Sequence, residues 1–119
     1  MRTEGNRPVA YIIILVNKKI RSSGFEHDVG LATENIVLGA LGEGVGSCII
    51  RAFNRPNLVK IFNLSSNYFL DLVIALGYPA EKPKVKEGRW HPYWRDKKNI
   101  LHVPKRLLSK ILHWNRFRK

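Results

Sequence analysis

The residue pair with the clearest chemistry in this sequence is Lys105-Arg106, two adjacent cations that could bind an anion. They follow Pro104, which suits the first turn of a helix, so free backbone N–H groups are expected beside them. Two cations and such N–H groups together would suit a phosphate. Solvated surface charge is the ordinary alternative for a Lys-Arg pair, and spacing alone favours that interpretation.

The other reactive side chains lack the partners that catalysis or metal binding requires. Cys48 is the only cysteine, and no His or Lys is adjacent to activate it, so a buried, unreactive thiol is predicted. No two histidines have the i, i+4 spacing of a helical metal site, so none is assigned as a ligand: His27, His91, His102 and His113. Neither a Walker loop nor a G-x-S-x-G motif is present. We therefore predict no metal site, leave the catalytic residues unassigned and expect any chemistry to depend on a bound cofactor.

The glycine-rich stretch around residues 39–46 invites comparison with a dinucleotide-binding loop. However, Ser47 stands where the last glycine of G-x-G-x-x-G would be, and these glycines end a predicted helix instead of opening one. The stretch therefore predicts a helix end and a tight connection.

Composition indicates a globular protein of one domain. The chain has 119 residues, of which 45% are hydrophobic and 25% charged, and both fractions are ordinary for a folded domain. The apolar run of residues 9–16 is far shorter than the roughly 20 residues of a membrane-spanning helix. No membrane span and a cytoplasmic location are therefore expected.

The net charge of +12 is concentrated in the second part of the chain. Residues 77–119 contain 13 Lys and Arg against 3 Asp and Glu, a net charge of +10. Such a segment suits an anionic partner, whether a phosphate-bearing cofactor, a nucleic acid or an acidic lipid. Composition does not choose between them.

The elements of the predicted core occupy residues 8–79. Residues 11–16 are apolar and mostly β-branched, which predicts a strand buried on both faces. Asp28 is expected to be the N-cap of a helix that runs to about Leu41 and has little surface left for solvent. Arg55-Pro56 predicts the start of a second helix, and residues 69–76 predict a core strand.

Residues 80–119 are expected to form a basic C-terminal arm and a helix. The prolines, charges and aromatic side chains of residues 80–99 predict an extended arm. Pro104 is then expected to lie in the first turn of a last helix, whose apolar stripe is Leu107, Leu108, Ile111 and Leu112.

Three blocks in this order resemble the nitroreductase-like FMN oxidoreductases. Residues 28–40, DVGLATENIVLGA, resemble a helix pattern of that family, and residues 44–50, GVGSCII, resemble the loop and strand that follow it. Residues 72–83, LVIALGYPAEKP, are similar to a third and distinctive block. The tail that contains YWRD and HVPKR resembles one branch of the family, so the resemblance extends over about residues 8–112.

The resemblance implies an α+β fold that forms homodimers, binds FMN at the subunit interface and passes electrons from NAD(P)H to a small-molecule acceptor. By position, Ile49, Ile50 and Arg51 correspond to the segment whose backbone lies against the flavin ring. Lys105 and Arg106 correspond to basic residues near the FMN phosphate. Arg51 departs from the acidic or small residue often found there, which would change the charge beside the flavin.

The resemblance covers only the C-terminal part of that fold. The family's N-terminal Arg-Ser-x-Arg signature has no counterpart, because Arg21-Ser22 follows the first strand and Gly24 replaces the second arginine. We therefore expect residues 1–119 to be a single truncated nitroreductase-like domain with an incomplete FMN-binding fold, acting as a homodimer or with a complementing chain. The alternative is a non-catalytic basic protein, derived from this fold, that binds RNA or another polyanion.

Overall fold

The computed structural model describes residues 7–88 and 92–117. The chain divides into two compact units, Met1–Pro79 and Ala80–Lys119. The described part of the first unit contains two α-helices and a three-stranded sheet, and that of the second contains a smaller three-stranded sheet and one short 3-10 helix.

The sheet of the first unit is antiparallel, with its longest strand in the centre. Its strands are β1 (Ala10–Asn17), β2 (Gly46–Ile50) and β3 (Tyr68–Gly77), in the order β1-β3-β2. Helix α1 (Glu26–Gly42) connects β1 to β2, and helix α2 (Arg55–Ile61) lies between β2 and β3. The apolar sequence YFLDLVIALG suits β3 to this position, because a central strand is covered by neighbours on both edges.

The core of this unit lies between α1 and one face of the sheet. Val16, Val29, Leu72 and Ile74 form its buried cluster, and Ile74 is completely inaccessible to solvent. Val29 comes from α1, whereas the other three come from β1 and β3. Strand β3 confirms the core strand that the sequence predicts over residues 69–76.

Strand β1 is less buried than predicted. It pairs with β3 and with no other described strand, and Tyr11 and Leu15 are 56% and 39% exposed. The prediction of burial on both faces is wrong, because an apolar run does not reveal that its strand lies at the edge of a small sheet.

Two predictions about α1 also need correction. The helix begins at Glu26, so Asp28 lies in its first turn, where its carboxylate approaches Arg21 at 3.3 Å instead of capping the helix. Much of the helix is exposed, including Leu31 at 69% and Leu41 at 67%. Only Val29 and Thr33, one turn apart, are buried, because α1 packs against a single sheet through one narrow stripe.

Helix α2 begins as predicted. The side chain of Asn54 caps it by accepting the Asn57 backbone N–H at 3.0 Å, and Pro56 lies in the first turn, where a missing N–H costs nothing. Arg55 fixes α2 to the central strand, since its guanidinium donates to the carbonyl oxygens of Leu70 at 2.7 Å and Asp71 at 3.2 Å.

The second unit is built around a short central strand. Strands β4 (Lys84–Glu87), β5 (Trp94–Arg95) and β6 (Leu101–Lys105) have the order β4-β6-β5, with β4 parallel and β5 antiparallel to β6. Pro104 lies within β6, and the only helical turn after it in the described residues, which end at 117, is the 3-10 helix Leu108–Lys110. The predicted last helix is therefore wrong, because residues 101–105 pair with two strands and proline disfavours helical geometry in the residue before it.

A tight hairpin joins β5 to β6. The carboxylate of Asp96 accepts the backbone N–H groups of Lys98 at 2.9 Å and Ile100 at 3.0 Å. Asn99 has a φ of 60°, which asparagine tolerates better than most residues. This turn lies within residues 80–99, which are predicted to form an extended arm, so the arm is interrupted by a turn.

No helix in the described part of the chain has the length and apolar composition needed to cross a membrane.

Candidate functional site

The first group of predicted site residues lies at the end of β2. The chain reaches β2 through a tight turn after α1, in which Gly44 has a φ of 73° and the Val45 N–H donates to the Ala40 carbonyl at 2.8 Å. This turn confirms the helix end predicted from the glycines. Ile49 and Ile50 are the last residues of β2, and Arg51 follows directly.

The register of β2 places its side chains on alternate faces of the sheet. Ile49 pairs with Ile74, on the face that α1 covers, and Ile50 pairs with Val73 on the other face. Ile49 is nevertheless 48% exposed. Among the described strands β2 pairs only with β3, so its outer edge presents backbone N–H and C=O groups. An exposed apolar side chain beside such an edge can receive a planar ring that also forms hydrogen bonds.

Cys48 is exposed, so the prediction of a buried thiol is wrong. It pairs with Ala75 in β3, on the face opposite α1, where Tyr11 is also exposed. Its apolar sequence neighbours suggested burial, but β2 is an edge strand.

The second predicted group, Lys105 and Arg106, lies at the end of β6. Both side chains are exposed, and neither forms an ion pair with any described residue. Glu87 is the register partner of Lys105 in β4, so one carboxylate lies near this group without a direct contact. Because no α-helix follows Pro104, the expected row of helical N–H groups is absent from this described segment. The two cations alone remain suited to a phosphate.

The structure keeps each group together within its own unit. Ile49, Ile50 and Arg51 are consecutive in the first unit, and Lys105 and Arg106 are adjacent in the second. Among the described residues no three His, Cys, Asp or Glu side chains are close enough to hold a metal ion. One of the histidines considered as ligands, His91, lies outside the described residues.

Sequence reasoning missed a polar cluster in the second unit, formed by Trp94, Asp96 and His102. The Nε2 atom of His102 lies 2.9 Å from an Asp96 carboxylate oxygen, and the Trp94 ring stacks on the imidazole with centroids 5.1 Å apart. His102 is buried, and its Nδ1 atom has no hydrogen-bond partner among the described residues. The sequence feature that could have predicted this cluster is the turn between Trp94 and His102, which brings their strands into register.

Hydrogen bonding lowers the pKa of two carboxyl groups here. The His102 side chain, and then the Ile100 N–H, hold the pKa of Asp96 below its usual value. The pKa of Glu81 is lowered by Arg95, whose guanidinium meets both carboxylate oxygens at 2.6 and 2.8 Å. Both carboxylates serve to hold the second unit together.

We expect Asp96→Asn to lower the free energy of unfolding relative to wild type at neutral pH. We expect this difference from wild type to disappear in acid. Because the folded-state pKa of Asp96 is lowered, its carboxylate stabilises the fold above the unfolded pKa of about 4, and this contribution is lost as the pH falls through the folded pKa. Denaturant unfolding at several pH values, followed by tryptophan fluorescence, would measure the difference from wild type.

Glu87→Gln is the matched control for Asp96→Asn, since Glu87 belongs to the same unit and makes no side-chain hydrogen bond with the described residues. The control should change stability little at any of these pH values. A deficit for Asp96→Asn that persists unchanged at pH 3 would contradict the assigned role.

Comparison with known proteins settles the family. The Nitroreductase family model matches residues 6–78, which include the whole of the first sheet and both α-helices. The chain belongs to the nitroreductase family. This confirms the family indicated by the three sequence blocks, and Ile49, Ile50 and Arg51 lie within the matched residues, whereas Lys105 and Arg106 lie beyond them. No curated protein matches the chain.

Solved structures confirm the α+β fold. A nitroreductase family protein from Clostridium novyi NT is similar over 58% of this chain, with 31% sequence identity and a TM-score of 0.51. An FMN-dependent nitroreductase from Clostridium difficile R20291 is similar over 90% of this chain, with 22% identity and a TM-score of 0.61. These alignments cover 42% and 57% of the respective solved chains, so this nitroreductase-family chain spans about half of their length.

Proposed function

We propose that this chain is an FMN-dependent oxidoreductase of the nitroreductase type, which passes electrons from NAD(P)H through the flavin to a small acceptor. The observation that carries the proposal is the outer edge of β2, where the exposed Ile49 lies within the family match. The likeness of the fold to an FMN-dependent nitroreductase supports the choice of cofactor. A cytoplasmic location fits the availability of NAD(P)H.

Each group of site residues would contribute differently to FMN binding. The outer edge of β2 would offer hydrogen bonds to the ring system, and Ile49 would cover apolar ring surface. Arg51 would stabilise negative charge on the ring and so raise the reduction potential. Lys105 and Arg106 would bind the phosphate. Bound FMN would itself supply the hydride and electron chemistry.

We also propose that the chain functions with a partner, either a second copy or a complementing chain. Leu31, Leu38 and Leu41 on α1 are all more than half exposed, which is a large apolar surface for one helix. Gly30 and Gly39 on the same helix have no neighbouring atom within 4 Å of where a Cβ would lie. Another backbone could therefore approach α1 closely.

The proposed electron transfer is tested by adding NADH or NADPH, without oxygen, to the full chain loaded with FMN. Loss of the oxidised-flavin absorbance should be faster than with free FMN by about tenfold or more, because the protein orients donor and flavin. Addition of a quinone or a nitroaromatic compound should then restore the absorbance. Equal rates with and without the protein would contradict the proposal, whatever the affinity for FMN.

A further inference from the structure

Residues 105–117, named here the C-terminal segment, display large apolar side chains to solvent. Leu108 is 66% exposed, Trp114 78% and Phe117 74%. The remaining large apolar side chains of the segment are also exposed: Leu107, Ile111 and Leu112. Six large apolar side chains in thirteen residues are far more than a solvated loop normally exposes.

The same segment is strongly basic. Asp96 is the last acidic residue in the sequence, so no acidic residue lies within the segment. Four of its residues are cationic and make no ion pair with the described residues: Lys105, Arg106, Lys110 and Arg116. Exposed apolar and cationic side chains are therefore interspersed along one short stretch.

The spacing would separate these two kinds of side chain if the segment were helical. Leu108, Ile111 and Leu112 would share one face, with Leu107 beside them, whereas Arg106 and Lys110 would lie on the opposite face. One turn already exists, since the Leu112 N–H donates to the Leu108 carbonyl at 2.8 Å.

We propose that the C-terminal segment binds peripherally to the surface of an anionic lipid membrane. Leucine, isoleucine and tryptophan beside lysine and arginine are the composition of segments that lie in the lipid interface. The positive charge complements anionic headgroups and supplies the attraction that apolar insertion alone would lack. Exposed aliphatic side chains favour lipid over nucleic acid, where aromatic stacking and phosphate contacts provide affinity. This goes beyond the proposed redox function and does not depend on it, because Lys110 and Arg116 supply positive charge to the segment even when Lys105 and Arg106 bind the FMN phosphate.

The test is sedimentation of the full chain with vesicles of phosphatidylcholine, with and without roughly 30 mol% phosphatidylglycerol. Wild type should bind the anionic vesicles and bind pure phosphatidylcholine much more weakly. Brominated lipid should quench its tryptophan fluorescence, and Trp114→Phe should remove most of that quenching if Trp114 inserts. Binding without quenching would overturn the proposed insertion.

Two double variants separate the apolar and the electrostatic contributions, and both leave Lys105 and Arg106 unchanged. Leu108→Ser with Ile111→Ser should weaken vesicle binding by at least about tenfold, because two inserted side chains lose their apolar surface. Lys110→Gln with Arg116→Gln should weaken binding to anionic vesicles by about thirtyfold. The matched control is Lys97→Gln with Lys98→Gln in the β5–β6 hairpin, which removes the same charge. This control should weaken binding to anionic vesicles by less than about fivefold.

Three results would overturn the proposal. The first is equal loss in the control and in the Lys110→Gln/Arg116→Gln variant, which would indicate general charge attraction. The second is tight binding of a homopolymeric RNA at physiological salt, together with no binding to vesicles. The third is absence of vesicle binding while Leu108→Ser/Ile111→Ser changes the oligomeric state, which would assign the segment to contacts between copies of the chain.

Discussion

Replacing Lys105 and Arg106 together by Ala is expected to weaken FMN binding by at least about tenfold and to change riboflavin binding far less. Both side chains are exposed and unpaired with described acidic residues, so they are available for a phosphate. Charge-assisted bonds to a phosphate contribute about 1.5–3 kcal/mol each, and riboflavin lacks that group. Titration of both flavins into both proteins, followed by flavin fluorescence, measures the difference.

The control for this variant is Lys97→Ala with Lys98→Ala, which removes two exposed cations from the hairpin of the same unit. It should leave FMN affinity within about threefold of wild type, since screening weakens distant charges. Equal losses of FMN and riboflavin in the Lys105→Ala/Arg106→Ala variant would indicate a disturbed fold. Unchanged FMN affinity would show that the phosphate binds elsewhere.

Ile74→Ala is expected to destabilise the protein by about 2–5 kcal/mol. Ile74 is fully buried at the centre of β3, between Ile12 in β1 and Ile49 in β2, so the lost methylene and methyl groups leave a cavity that a three-stranded sheet cannot readily close. Denaturant unfolding followed by circular dichroism measures this loss.

Two controls belong with Ile74→Ala. Ile74→Val removes a single methylene at the same site and should cost about 0.5–1.5 kcal/mol. Ile49→Ala removes the same atoms as Ile74→Ala from the directly paired position in β2. Because Ile49 is 48% exposed, this variant should lower the free energy of unfolding by less than half as much as Ile74→Ala. Similar losses at the two positions would show that β2 is buried in solution and would contradict its assignment as an exposed edge.

The sequence predicts the first unit well where local chemistry decides the structure. Glycines mark the end of α1, Arg55-Pro56 marks the start of α2, and the apolar run of β3 is recognisable from its composition alone. Burial was harder to predict, because it depends on which elements cover a strand or helix. The exposure of Tyr11, Leu31 and Cys48 follows from the edge position of β1 and β2 and the single contact stripe of α1, neither of which a linear pattern contains.

The second unit shows where local patterns compete. Pro104 suits a helix start, but it is also tolerated in a strand where one side is unpaired. Although β6 is the central strand, β5 pairs only with Leu101 and His102, so Pro104 has a partner in β4 alone. The stacking of Trp94 on His102 depends on strand register, which the turn at Asp96 and Asn99 establishes. The family resemblance supplied the five proposed cofactor-binding residues, whereas spacing alone favoured surface charge for Lys105-Arg106.

The most direct measurement of flavin binding is the titration of FMN into the purified wild-type chain, with absorbance and flavin fluorescence recorded. Saturable binding, with a shifted flavin spectrum and affinity for FMN above that for riboflavin, is the predicted result. Binding of neither flavin, by a chain shown to be folded by circular dichroism, would contradict the proposal that this nitroreductase-family chain binds FMN through its own residues.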